Sequence, residues 1–153
     1  MTRATKSKRA TANEAAVRRY EETMEISGHR LTPQRRTVYD ALITKPNHPT
    51  ATEVFMSVKH EMPTISLATV YNCLETLVEC GLVKQVNVDR EPTRFCPNLQ
   101  DHGHFLCATC GHVFDIPLSL AKLEHALHLP EGYNVSNLEI TLRGECPACS
   151  KKS

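Results

Sequence analysis

Four short helices closed by a β-hairpin, then a small α/β unit pinned by zinc, make up the α+β architecture that this 153-residue sequence predicts. Three observations carry the prediction. Apolar residues recur at helical spacing from Glu14 to Gly81, and the period then drops to two. Two Cys-x-x-Cys pairs, Cys107/Cys110 and Cys146/Cys149, bracket the last third of the chain. Four thiols in that arrangement suit a tetrahedral zinc site, and because they leave no open position for substrate the site is structural.

The elements follow in order. Arg3, Lys6, Lys8 and Arg9 precede the first acid, Glu14, so residues 1–13 read as a basic, flexible tail, either a solubilising end or an arm that tracks phosphate. From Glu14, helix spacing of Val17, Tyr20 and Met24 runs until Gly28 breaks it. Thr32 can cap a second helix that opens on Pro33 and carries Val38, Leu42 and Ile43 on its apolar side. Thr50-Ala51-Thr52-Glu53 is a capping box for a third, with Val54, Phe55 and Val58 facing inward. Ser66 caps a fourth, whose stripe of Val70, Leu74, Leu77 and Val78 ends at Gly81. Residues 82–88 and 93–96, joined by a turn over 89–92, then read as an antiparallel hairpin.

Helices followed by a hairpin give the winged helix-turn-helix pattern over residues 14–97. The fourth helix would be the reader. Thr69, Tyr71 and Asn72 point outward near its N-terminal end, beside the capping Ser66, and such groups bond phosphates and base edges. Arg35 and Arg36 on the second helix and Lys84 on the wing add positive charge. An ordinary helical bundle with a polar face fits the same spacing.

Residues 98–153 form the second unit, with strands over 104–108 and 112–116 around the first cysteine turn, an amphipathic helix over 118–129 and a strand over 133–142. A unit this small has little core, and zinc plus a dimer partner would supply the missing stability. Upstream of the cysteines, His102 and His104 project the same way in extended chain and make half a metal site. Asp115, Cys96 and His48 are candidates for the rest, and spacing does not decide among them.

Composition narrows the classes. A hydrophobic content of 41% without tryptophan allows modest cores, and no apolar run approaches a membrane span. With no signal-peptide pattern, seven cysteines fit a reducing cytoplasm where thiols are kept for metal rather than for disulfides.

Taken together, Thr32-Pro33-Gln34-Arg35, His48-Pro49-Thr50-Ala51, Ser66-Leu67-Ala68-Thr69-Val70-Tyr71-Asn72, Gly81-Leu82-Val83 and the His102-x-His104-x-x-Cys107-x-x-Cys110-Gly111 run through Cys146-x-x-Cys149 resemble the ferric uptake regulator (Fur) family. The resemblance implies a dimeric, metal-dependent transcription factor, a repressor and not an enzyme, with an N-terminal winged helix and a C-terminal dimerisation domain. It implies a regulatory metal on His48, the Cys96 position, His102, His104 and Asp115. It also implies two partners, a second copy of the chain and a double-stranded DNA operator with inverted-repeat symmetry. Tyr71-Asn72, the His48 loop and Asp115 look like the peroxide-responsive (PerR) class, in which ferrous iron converts peroxide into an oxidant of a ligand histidine, here His102 or His48. The expected metals are structural Zn²⁺ and regulatory Fe²⁺ or Mn²⁺.

One position departs from that class. Cys96 stands where aspartate is usual, and a thiolate favours Zn²⁺ at the regulatory site and is itself oxidisable. Iron or zinc sensing without peroxide is therefore an alternative. A small zinc enzyme with an open coordination position, or a zinc-stabilised adaptor that ignores DNA, are further ones.

Overall fold

The computed structural model describes residues 3–45, 47–88, 90–119, 122–123, 126–136 and 138–151, with side chains described from residue 13 onward. The chain divides into two compact units, Met1–Leu99 and Gln100–Ser153.

The first unit holds α1 (Arg3–Ile26), α2 (Pro33–Thr44), α3 (Ala51–Val58) and α4 (Leu67–Glu79), followed by β1 (Lys84–Val86) and β2 (Arg94–Cys96). Its caps are those the sequence predicts. Thr32 accepts the Arg35 N–H at 3.3 Å. Thr50 and Glu53 exchange bonds of 3.2 and 2.7 Å, and Ser66 accepts the Thr69 N–H at 3.1 Å. Both glycine stops also form. Gly28 and Gly81 adopt φ of 69° and 70°, where a β-carbon would be strained. The His29 N–H then reaches Met24 O, and the Leu82 N–H reaches Leu77 O, closing two helix ends in the same way.

The helices bury one cluster that includes Met24, Val38, Leu42, Val54, Val70, Leu74 and Leu77. Each fully buried leucine contributes about 1.5–3 kcal/mol. Truncating Leu74 to alanine would cost about 2–5 kcal/mol because the cavity closes only in part.

One expectation changes here. α1 begins at Arg3, so the stretch read as a flexible tail is helical in large part. Its residues carry no apolar stripe, which is why spacing could not place the start. Arg36 grips Asp40 at 2.9 Å and Glu21 at 3.2 Å, tying α2 to α1.

In the second unit, β3 (His102–Cys107) lies between β4 (Val113–Pro117) and β5 (Thr141–Gly144), antiparallel to the former and parallel to the latter. A short α5 (Pro147–Ser150) follows. The helix expected over 118–129 falls partly outside the described residues, namely at 120, 121, 124 and 125. The Leu123 N–H to Ser119 O and Leu127 N–H to Leu123 O bonds have helical spacing. The strand expected over 133–142 is corrected: among the described residues of that stretch and just beyond it, Thr141–Gly144 is the part that pairs, and Tyr133 and Val135 are 70% and 55% exposed. Among the described residues of this unit, Leu106, Cys107, Val113 and Cys146 are the buried apolar ones. Two of these are cysteines, so whatever joins the thiols forms a large share of the core. Among the described residues no helix is long and apolar enough to cross a membrane.

Candidate functional site

Cys107 ends β3, Cys110 sits in the turn toward β4, Cys146 is the N-cap of α5 and Cys149 lies within that helix. Their four sulfurs lie within 4.8 Å of one another. Cys110 Sγ and Cys146 Sγ are 3.9 Å apart, far beyond a disulfide bond. The edge of a zinc tetrathiolate with Zn–S near 2.3 Å is about 3.8 Å, so this separation fits the ion. Gly111, at φ 71°, completes the turn, and its N–H donates to Cys107 O at 2.9 Å. The backbone N–H of Cys110, then that of Cys146, pull the Cys107 thiol down to about 6. The Cys146 side chain and burial push Cys149 up to about 12. One sulfur is thus prepared as a thiolate, and another is held as a thiol until a cation takes the proton's place.

A second set of donors converges on β3 and β4. His104 stands opposite Asp115 in the ladder. His102 Nε2 lies 3.0 Å from His104 Nε2 and 3.4 Å from Asp115 Oδ1, and His104 Nε2 is 3.8 Å from that oxygen. His102 Nδ1 is 2.6 Å from Gln100 O, which a protonated Nδ1 explains. With the proton there, Nε2 keeps a lone pair for a cation. Gly103 between the two histidines has a steric reason, since a β-carbon would come within 3.1 Å of Ile140 O.

In the first unit, His48 and Cys96 are 3% and 1% exposed, and their ligand atoms also lie within 4.8 Å of each other. The two are brought together by pairing of the His48 loop along β2. Phe95 N–H donates to Pro49 O at 3.0 Å, and Thr50 bridges Arg94. Arg94, which the sequence reading passed over, donates from Nη1 to His48 O at 3.0 Å. The partners are 46 residues apart, and no local pattern could reveal the bond. The imidazoles and carboxylate of the second unit, and the imidazole and thiol of the first, are each donor types that a divalent transition ion accepts.

On α4, Tyr71 and Asn72 are exposed while Val70, Cys73, Leu74 and Leu77 are buried, so the helix shows a polar face. Ser66 is exposed and shares a 2.8 Å hydroxyl bond with the half-buried Thr69. Lys84 is exposed on the hairpin. Arg35 is half-buried and donates to Arg30 O at 2.8 Å.

The ferric uptake regulator family model matches residues 26–143. The peroxide operon regulator of Bacillus subtilis (strain 168) is 35% identical over 132 residues, covering 86% of this chain and 91% of the relative. The peroxide-responsive repressor PerR of Staphylococcus aureus (strain USA300) is 32% identical over 131 residues, covering 85% and 88%. A crystal structure of the Campylobacter jejuni peroxide stress regulator superposes with a TM-score of 0.63 at 32% identity, covering 85% of this chain and 95% of that one. With the model and the relatives agreeing over most of its length, this chain belongs to the ferric uptake regulator family.

Proposed function

We propose that this chain is a cytoplasmic, metal-dependent DNA-binding repressor whose operator affinity is set by a divalent ion on His48, Cys96, His102, His104 and Asp115, and that peroxide is the signal that lowers it. The observation supporting this most is the convergence of His102, His104 and Asp115, with the two Nε2 atoms 3.0 Å apart. His48 and Cys96 would complete the shell from the winged-helix unit. Ligands drawn from both units let occupancy fix the spacing of the two reading helices in a homodimer. Metal and operator then strengthen each other's binding by the same factor.

Tyr71 and Asn72 would meet base edges in the major groove, with Ser66, Thr69, Arg35 and Lys84 toward phosphates. A twofold dimer calls for an inverted-repeat operator. Zn²⁺ on the four cysteines would hold the C-terminal unit together, and Fe²⁺ or Mn²⁺ would occupy the regulatory site. Ferrous iron held there would supply the redox chemistry that activates peroxide, one peroxide oxygen passing to an imidazole that gives up two electrons and the other leaving as water. His102 or His48 would receive the added oxygen, lose donor strength and loosen the grip. The peroxide-responsive names of the relatives favour this over plain uptake control, and a family of regulators argues against the zinc-enzyme reading.

A second reading, zinc or iron sensing without oxidation, is favoured by one observation. Cys96 is buried beside His48, and its thiolate prefers zinc to iron. Selection of a duplex from a random pool by manganese-loaded protein would supply the operator. Binding to it should require Mn²⁺ or Fe²⁺, and peroxide should abolish it only for the iron form. Equal binding of the iron form before and after peroxide would leave the metal sensor, and indifference to DNA at every metal load would remove both readings.

A further inference from the structure

We propose that Arg94 is a positioning residue for the metal ligand His48. The inference rests on His48 being a ligand, as proposed above, and adds a residue that does not touch the ion.

His48 has φ 52°, a backbone region that disfavours every residue with a β-carbon. Pro49 follows, and the residue before a proline is restricted further. Such a conformation persists only where its surroundings over-determine it. Three contacts from β2 do so. Phe95 N–H donates to Pro49 O at 3.0 Å, Thr50 bridges Arg94, and Arg94 Nη1 donates to His48 O at 3.0 Å. The first two are main-chain contacts that other side chains at these positions would leave in place. The third needs a long cationic side chain.

The same nitrogen lies 3.5 Å from Glu53 Oε2, and the Arg94 side chain is 16% exposed. That carboxylate oxygen also accepts the Thr50 N–H at 2.7 Å in the cap of α3. One largely buried cation therefore joins the His48 carbonyl to the cap, two residues before Cys96 on the same strand. Charge-assisted bonds of this kind hold geometry better than neutral ones. Without the guanidinium, the His48 backbone can relax toward negative φ and carry its ring away from Cys96.

Cobalt titration of the full chain, with zinc on the four cysteines, tests this. Visible bands and near-ultraviolet thiolate absorption report the second ion. Arg94→Met keeps the aliphatic stem and should weaken cobalt binding roughly tenfold, with one zinc per chain retained and partial recovery in Arg94→Lys. The decisive comparison is the double variant Arg94→Met/His48→Ala, which should bind cobalt no more weakly than His48→Ala alone, because the two residues act as one unit. Additive losses would overturn the proposal by making Arg94 a general structural residue, as would unchanged affinity in Arg94→Met. Full cobalt affinity in His48→Ala would instead remove the ligand reading itself. If Arg94→Met does not fold, Arg94→Lys enters the same cycle and is read in the same way.

Discussion

The backbone N–H of Cys146 donates to the Cys107 sulfur at 3.3 Å, so the second cysteine pair solvates the first before any ion does. With the Cys110 N–H contributing most, the Cys107 thiol falls from 9.0 to about 6. A folded value below the unfolded one contributes stability that is present above pH 9 and is lost as the pH falls through about 6. Cys149, raised from 9.0 to about 12, has the opposite sign and changes only above pH 9. Bound zinc competes with protons for the same sulfurs and keeps the first sign. Thermal stability of the C-terminal unit should therefore decline progressively between pH 9 and pH 6, with zinc release on the acid side. A profile that is flat or rises toward acid in melting experiments would contradict this assignment of the sulfurs.

Cys107 is also one of the few buried residues among those described in its unit. Cys107→Ser should lose the zinc and unfold or monomerise the C-terminal unit, because too little core remains to hold it. Metal analysis and sedimentation would read the outcome. A zinc-replete, folded dimer would sink the four-cysteine site.

Asn72 is exposed on the side of α4 away from Val70, Leu74 and Leu77. If it reads a base, Asn72→Ala should cost about 1–3 kcal/mol of operator binding and relax preference at one position. Unchanged selectivity in a competition assay would move it to phosphate contact or to none. Deleting residues 3–9 should instead weaken binding evenly across sequences and flatten its salt dependence.

Much of the first unit was legible because its signals are local. Thr32, Thr50 with Glu53, and Ser66 announce helix starts within three residues, and Gly28 and Gly81 announce the ends. The Cys-x-x-Cys turn is equally local. What was missed depends on distant partners or on the lack of an apolar pattern. The N-terminal part of α1 is polar, so no stripe marks it. Tyr133 and Val135 alternate like a strand, yet both remain exposed, and among the described residues it is Thr141–Gly144 that pairs with β3 on that side. The φ of His48 and its bond to Arg94 arise from pairing across 46 positions. The donors at His102, His104 and Asp115 were nameable, but their convergence follows from the β3–β4 register.

Cys96 carries the prediction that most divides the two metal readings. It ends β2, is 1% exposed, and lies with its sulfur within 4.8 Å of a His48 ring nitrogen. As a ligand, its thiolate should make the regulatory site bind zinc or cobalt more tightly than a carboxylate would. Cys96→Asp should shift preference back toward iron and manganese, measured as competing affinities in one titration. Peroxide then has two targets that leave different products. One added oxygen on His102 or His48, seen by mass spectrometry only with iron bound, marks the iron route. Sulfenic acid or a disulfide at Cys96 with any metal marks the thiol route, and burial of the sulfur argues that this route is slow. The expected outcome is histidine oxidation in the iron form and an intact Cys96. With DNA binding intact and none of these residues modified, the chain would be a metal sensor that does not respond to peroxide.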